Sequence, residues 1–580
     1  MTLARFTHLA LPLTVLLAGL PHAANAADKV LSDQILPKDT YLYMSLPNIT
    51  ELKQQWNDSS MGQLWHDEEM ADFKAEVFNA FDSEIQEGLA QVQEALGVTA
   101  EELMAIPSGE MSLAFSGTGN RMGAVLILDY GSSEDVIQGL LDRAVAALSA
   151  QRRLSQSDTE FDGTPITMFN VQWDGRAPTP LATEFGWFLK DERLVASNSK
   201  ALLETVLTNW NGDASDSLTS NEIYSYMLSR CLPSGNSAMS KFYFDPVGLF
   251  TKLVQTGSLG EAGMGAGMAM GFLPTLGLTQ LKGLGGVSTT GDSDFEWVSR
   301  SIIFADQPPM GLMRLFMLDH ASQTPPEWVK QDATAYLALN WKVGDAYDAV
   351  ESLVDMFQGA GALAGMVDQL SRSGPGIHIK NDIIDQLSGE LQFVTAPRAS
   401  DDFGTDQMLF AIGVRDEGKM SDLLTRVTDE PGFPGTKREF RGFTLYEIAT
   451  PDGGGVGFTV AHGRLLIGIG EALLDQVLRN DSDVRPLSET DEFKKVASHF
   501  PSDAVAVTFS RPAEQYRSLY NALKSGQGGH YFPGMDEIFE RIDFTTLPDF
   551  DVVSKYIQPT GGYWVGDENG VYMEGFSLKR

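Results

Sequence analysis

The sequence predicts an α+β protein made of two similar modules, each a mainly antiparallel sheet with helices packed on one face. Three observations predict it. Short motifs recur in the same order along the two halves of the chain. A strand–corner–helix unit occurs four times. Strands outnumber the simple helical crossovers that a parallel sheet would need.

The ordered recurrence is the main signal. Ser108-Gly109-Glu110-Met111 returns as Ser388-Gly389-Glu390-Leu391, and Glu160-Phe161-Asp162-Gly163 returns as Glu439-Phe440-Arg441-Gly442. Arg193-Leu194-Val195 and the helix-like stretch from Ala201 return as Arg464-Leu465-Leu466 and the stretch from Ala472. Leu232-Pro233-Ser234 matches Phe500-Pro501-Ser502, and Gly285-Gly286 matches Gly561-Gly562. The expected division is residues 27–322 for module one and 323–580 for module two, with the joint near Pro325-Pro326.

The four strand–corner–helix units begin at Tyr41, Met239, Ala335 and Ala504. In each, apolar spacing of two gives way to spacing of 3.6 at a polar or proline corner. Asp245-Pro246 and Arg511-Pro512 put proline in the first helical turn, where its missing N–H is harmless.

Taken in order, module one opens with a strand near 40–46 and helices across 62–96. Gly97 ends that helical stretch, and Thr99-Ala100-Glu101-Glu102 reads as a capping box for another helix. Strands follow near 110–116 and 122–129, a helix near 133–150 and a strand near 164–171. This order is βαββαβ, the split βαβ or ferredoxin-like arrangement. A hairpin at 184–190 and 193–198, helices near 199–230, the unit from Met239 and two strands near 284–304 complete the module. Module two is expected to repeat the pattern.

The N-terminus has the features of a secretory signal peptide: Arg5, an apolar run from Leu9 to Leu20, Pro21, then Ala24-Asn25-Ala26. Cleavage is expected after Ala26, giving an exported periplasmic or extracellular chain. The apolar run is shorter than the roughly 20 residues of a membrane span. Leu20 stands where a lipoprotein would carry its cysteine.

With 42 Lys+Arg against 78 Asp+Glu, the net charge of −36 excludes an ordinary nucleic-acid-binding protein. The single Cys231 excludes an intramolecular disulfide and any multi-cysteine metal site, and reads as a small buried residue.

No motif nominates a catalytic, cofactor-binding or metal-binding residue. Gly468-Ile469-Gly470 lacks the rest of a phosphate loop, and its match Ser197-Asn198-Ser199 has no glycine. The mature histidines, His66, His320, His378, His462, His499 and His530, show no metal-ligand spacing. Asp567-Glu568-Asn569-Gly570 resembles a calcium loop but reads better as a hairpin turn. Glu110 and Glu390 read as polar corner residues rather than an acid–base pair. There is no Gly-x-Ser-x-Gly elbow.

The segment 262–281, AGMGAGMAMGFLPTLGLTQL, carries no charge across twenty residues. Gly263, Gly267 and Gly271 recur every four residues, and Met264, Met268 and Met270 add adaptable apolar surface. Its match in module two is charged. The bland reading is a glycine-rich loop or buried helix; the other is contact with a membrane or a partner helix.

Leu36-Pro37-Lys38-Asp39-Thr40, Ser388-Gly389-Glu390 and the ending from Leu547-Pro548 through Gly561-Gly562 to Asp567-Glu568-Asn569-Gly570 resemble exported bacterial proteins classed only as a domain-of-unknown-function family. That resemblance implies no agreed activity, so no functional residue is carried over. The expectation is an exported, non-catalytic, two-module binding or envelope-associated scaffold with an unknown protein or small-molecule partner. The alternative is a periplasmic hydrolase with a non-local site at the module interface.

Overall fold

The computed structural model describes residues 29–77, 106–150, 153–173, 181, 183–212, 215–372, 376–397, 407–450, 455–479, 483–527 and 536–580. The signal segment, the capping box at Thr99 and His530 lie outside them.

The first half contains strands β1 (Thr40–Leu46), β2 (Met111–Thr118), β3 (Arg121–Asp129), β4 (Leu154–Phe161) and β5 (Thr164–Val171). These are followed by β6 (Glu184–Lys190), β7 (Arg193–Ser197), β8 (Ser240–Phe244), β9 (Leu281–Thr290) and β10 (Phe295–Ala305). Its helices are α1 (Ser32–Ile35), α2 (Ile49–Asp58), α3 (Ser60–His66) and α4 (Glu134–Ser149). Then come α5 (Lys200–Thr208), α6 (Glu222–Cys231), α7 (Pro246–Gln255) and α8 (Gly263–Met270).

After a short β11 (Leu318–Asp319), the second half has β12 (Ala335–Trp341), β13 (Leu387–Ala396), β14 (Gln407–Val414), β15 (Thr436–Phe440) and β16 (Phe443–Ala449). It continues with β17 (Gly455–Ala461), β18 (Arg464–Ile469), β19 (Ala504–Ser510), β20 (Thr560–Asp567) and β21 (Gly570–Leu578). Its helices include α9 (Val343–Gln358), α10 (Ala362–Ser371), α11 (Glu417–Thr428), α12 (Glu471–Arg479), α13 (Asp491–Ala497) and α14 (Pro512–Lys524).

Hydrogen bonding joins these strands into one antiparallel sheet. From one edge, β4-β5-β6-β7-β3-β2-β1-β8-β9-β10 follow one another. From the other edge, β15-β16-β17-β18-β14-β13-β12-β19-β20-β21 follow in turn. With β11 set aside, both edges lead inward through the same chain order. The two series meet where β10 pairs with β21, from Trp297 opposite Ser577 to Phe304 opposite Gly570.

The split βαβ arrangement is not what forms. It needs parallel neighbours, yet β1 runs antiparallel to both β2 and β8. In the first half, the strand missed from the sequence is β4. Its residues LSQSDTEF are mostly polar and show no apolar alternation, yet it folds back on β5 as a hairpin.

Helices also occupy both faces rather than one. Leu202 and Leu203 of α5 and Tyr224 of α6 share a buried cluster with Tyr43, Val125 and Ile127. Lys252 of α7 lies on the opposite side, where a Cβ on Gly117 would come within 3.1 Å of its Cε. On that side Met44, Leu113 and Leu126 form an exposed cross-strand row.

The two cores exchange side chains across the β10–β21 seam. Tyr572 of β21 joins the cluster around Tyr43, while Phe295 and Val298 of β10 join the cluster around Tyr336 and Phe509. Strand alternation sends successive residues to opposite faces, so a seam strand contributes to a core wherever its neighbour's helices cover it.

A candidate binding cleft on the seam

At the Phe295 end of the seam lies a cavity of about 510 Å³. Leu52 and Trp56 of α2, Met61 of α3, Met239, and Phe295 and Trp297 of β10 form its first-half wall. Pro512, Ile557, Thr560, Ser577 and Lys579 close it from the second half.

Local chemistry fixes this wall. Asn48 starts α2 by accepting the Glu51 N–H at 3.0 Å. Ser59 starts α3 by accepting the Gly62 N–H at 3.0 Å. Gly62 is required there, because a Cβ would stand 1.9 Å from the Trp56 carbonyl oxygen. Ser60 N–H donates to Glu296 Oε1 at 2.5 Å, tying the α3 N-terminus to β10. A carboxylate is favourable at that helix end. Tyr556 OH donates to Asp67 at 2.7 Å, and the Arg580 guanidinium lies 4.5 Å from the Tyr556 ring centroid.

The cleft is suited to holding an apolar body. Among the described residues, no histidine or cysteine lines it. Ser59 Oγ donates to the Trp56 carbonyl while accepting from Gly62, and Glu296 is committed to Ser60. In its wall, Gln55 Oε1 and Trp56 Nε1 are buried without a hydrogen-bond partner. Lys579 brings a cation to the mouth.

The motifs weighed in the sequence lie elsewhere and apart from one another. Glu110 is a core residue rather than a solvated corner. It accepts Ser32 N–H at 2.7 Å, Ser32 Oγ at 2.5 Å and Ser45 Oγ at 2.7 Å. Burial pushes its carboxyl above the usual range despite those donors. Glu390 instead accepts Arg464 Nη2 at 2.8 Å.

Gly470 has a φ of +92° and links β18 to α12, whose Leu473 N–H is taken by Gln407 Oε1 at 2.6 Å. Asp567 accepts Tyr226 OH at 2.5 Å, Arg230 Nε at 3.0 Å and Asn569 N–H at 3.0 Å, so its oxygens serve a hairpin. Cys231 is buried at the end of α6, and burial pushes its thiol up to about 12. Among the described residues, no group of three His, Cys, Asp or Glu is placed to hold a metal ion.

Neither Trp56, Phe295 nor Trp297 stood out in the sequence. The only local signal was a pair of large aromatics two apart, straight after the Gly291-Asp292 turn.

No protein-family model matches this chain, and no curated protein matches it. Among solved structures, one similar chain is described as crystal form I of TP0453. It is 11% identical, with 44% of this chain and 78% of that chain covered and a TM-score of 0.21, a likeness too slight to bear on function.

Proposed function

We propose that this chain is an exported, non-catalytic binding protein built from two copies of one unit, and that the seam cleft holds an apolar small molecule. The carrying observation is the cleft itself: aromatic and aliphatic walls from both halves, with the Ser59 and Glu296 side chains already engaged at the start of α3. The common strand order from either sheet edge supports the duplication. The N-terminal Arg5, apolar run and Ala24-Asn25-Ala26 support export with cleavage after Ala26.

The test is titration with the neutral fluorophore N-phenyl-1-naphthylamine, together with native mass spectrometry of protein purified from the envelope fraction. The expected result is saturable probe binding that weakens about tenfold in Trp297→Ala, because a large aromatic contact is removed. No probe binding and no co-purifying molecule would remove the reading. Turnover of p-nitrophenyl esters that falls in the same variant would replace it with the hydrolase.

A further inference from the structure

The helix α8 presents a physical contradiction. Its sequence GMGAGMAM is apolar on every side, and none of its residues is buried. An all-round apolar helix belongs inside a core or in lipid. Gly263, Ala266 and Met270 are half-buried, and the remaining residues of the helix are exposed. A Cβ at Gly263 or Gly265 would meet nothing within 4 Å, and one at Gly267 would meet only Val254, at 3.8 Å.

The helix does not stand alone. Phe272, just after it, has its ring centroid 6.1 Å from that of Phe357 at the end of α9. This contact joins the two halves into one patch. Met356, Phe357, Met366 and Leu370 are exposed on α9 and α10, and Phe316 is 71% exposed on the segment linking the halves. Solitary exposed apolar residues are ordinary, but a contiguous group of this size marks an interaction surface.

We propose that this patch docks onto the surface of a phospholipid bilayer with uncharged or zwitterionic headgroups. Shape selects lipid over a protein helix. Met264 and Met268 are 84% and 71% exposed, so they stand out from the surface, and neither lines the seam cleft. Protruding thioethers and phenyl rings fit a fluid acyl phase, whereas a partner helix needs a groove.

Charge selects the lipid. Residues 262–281 contain no charged side chain, and 343–371 contain five acidic residues and no Lys or Arg, with Lys342 and Arg372 at the two ends of that stretch and Lys342 Nζ 3.9 Å from Asp319. The nearby Lys282 and Arg314 are held by Asp306 at 2.9 Å and Asp345 at 3.5 Å. An anionic surface would repel such a face. None of the described helices is long and apolar enough to cross a membrane, which fits docking rather than spanning.

The experiment is co-sedimentation of the protein beginning at Ala27 with phosphatidylcholine vesicles, and with vesicles containing one part in three of phosphatidylglycerol. The protein should pellet with the first and less with the second. Met268→Glu combined with Phe272→Glu should weaken pelleting by at least about tenfold for each side chain withdrawn from lipid. Met264→Glu should weaken it as well, while Tyr516→Glu, on α14, should not. Melting should be unchanged in all variants.

Absence of pelleting with either vesicle would overturn the proposal. So would pelleting only with the anionic vesicles, or pelleting that the patch variants leave intact. Loss of thermal stability in both patch variants would make α8 a core element instead. A vesicle-free dimer broken by the double variant would assign the patch to a second copy. Probe binding in the seam cleft is read separately, so the two proposals can fail independently.

Discussion

Lys241 Nζ lies 2.7 Å from Asp33 Oδ2, and the side chains are only 6% and 3% exposed. Tyr224 OH donates to the same carboxylate oxygen at 2.7 Å. The pair fastens α1 against β8 in the middle of the first core.

Breaking this pair should be costly. Lys241→Met leaves Asp33 as a buried charge without its cation, and the expected loss is about 3–5 kcal/mol. Pro246 and Pro512 open corresponding helices, which aligns Lys241 with Val507 in the second half. Asp33→Asn combined with Lys241→Val should recover part of the loss, because the buried charge is gone and the amide oxygen can still accept Tyr224 OH. Urea unfolding of the single and double variants measures both. A single variant within about 0.5 kcal/mol of the parent would refute the ion pair as a fastening.

Glu110 predicts a pH dependence with a definite sign. Its native carboxyl binds its proton more tightly than in the unfolded chain, because burial outweighs its hydrogen bonds. The stability from this group is complete below the unfolded value, about 4.3. It is lost as pH rises through the raised native value. In Glu110→Gln, stability should therefore fall less than in the parent as pH rises above about 4.3. Denaturation midpoints across that range provide the comparison; parallel curves would contradict it.

The β6–β7 and β17–β18 hairpins solve one turn differently. Asp191 and Glu192 both have positive φ, at 49° and 62°, whereas the other turn uses His462 at 55° and Gly463 at 71°. A Cβ on Gly463 would meet nothing within 4 Å, so only its backbone conformation opposes a side chain. Gly463→Ala should destabilise by about 1–2 kcal/mol; alanine is chosen because the Glu417 carboxylate, which accepts the Gly463 N–H, would repel an acidic side chain. Glu192→Gly should be close to neutral, since relief of strain offsets added chain entropy and loss of the exposed Lys29 pair. Parallel melts of the two variants would reveal the asymmetry.

Cys231 should be inert in the folded protein. It is fully buried, and its thiol is pushed up to about 12. Only about one molecule in ten thousand would carry the thiolate at pH 8. Reaction with a chromogenic disulfide reagent should wait for denaturant, then proceed to one thiol per chain. Full reaction in native buffer would show the α6 end opening readily.

Legibility followed the range of the interactions. β1, the β6–β7 hairpin and the Pro246 helix were readable, because alternation, turn residues and capping act over a few neighbours. β4 was not, because its residues lack a pattern and its place comes from pairing with β5. Glu110 read as a solvated corner because its three donated hydrogen bonds come from Ser32 and Ser45, which lie more than sixty residues earlier in the chain. The cleft was invisible for the same reason: Trp56, Trp297 and Ile557 have no common motif.

The sequence by itself determined the alternation of strands and helices, the acidic balance, the single thiol and the charge-free run at 262–281. These follow from residue type and near-neighbour spacing. Tertiary structure decided that the neighbours of β1 run antiparallel, that helices occupy both faces, and that β10 meets β21. It also decided that Phe272 reaches Phe357, turning a local apolar run into a surface shared by both halves. The physical reason is that strand pairing and side-chain packing join residues hundreds of positions apart, where periodicity and turn chemistry carry no information.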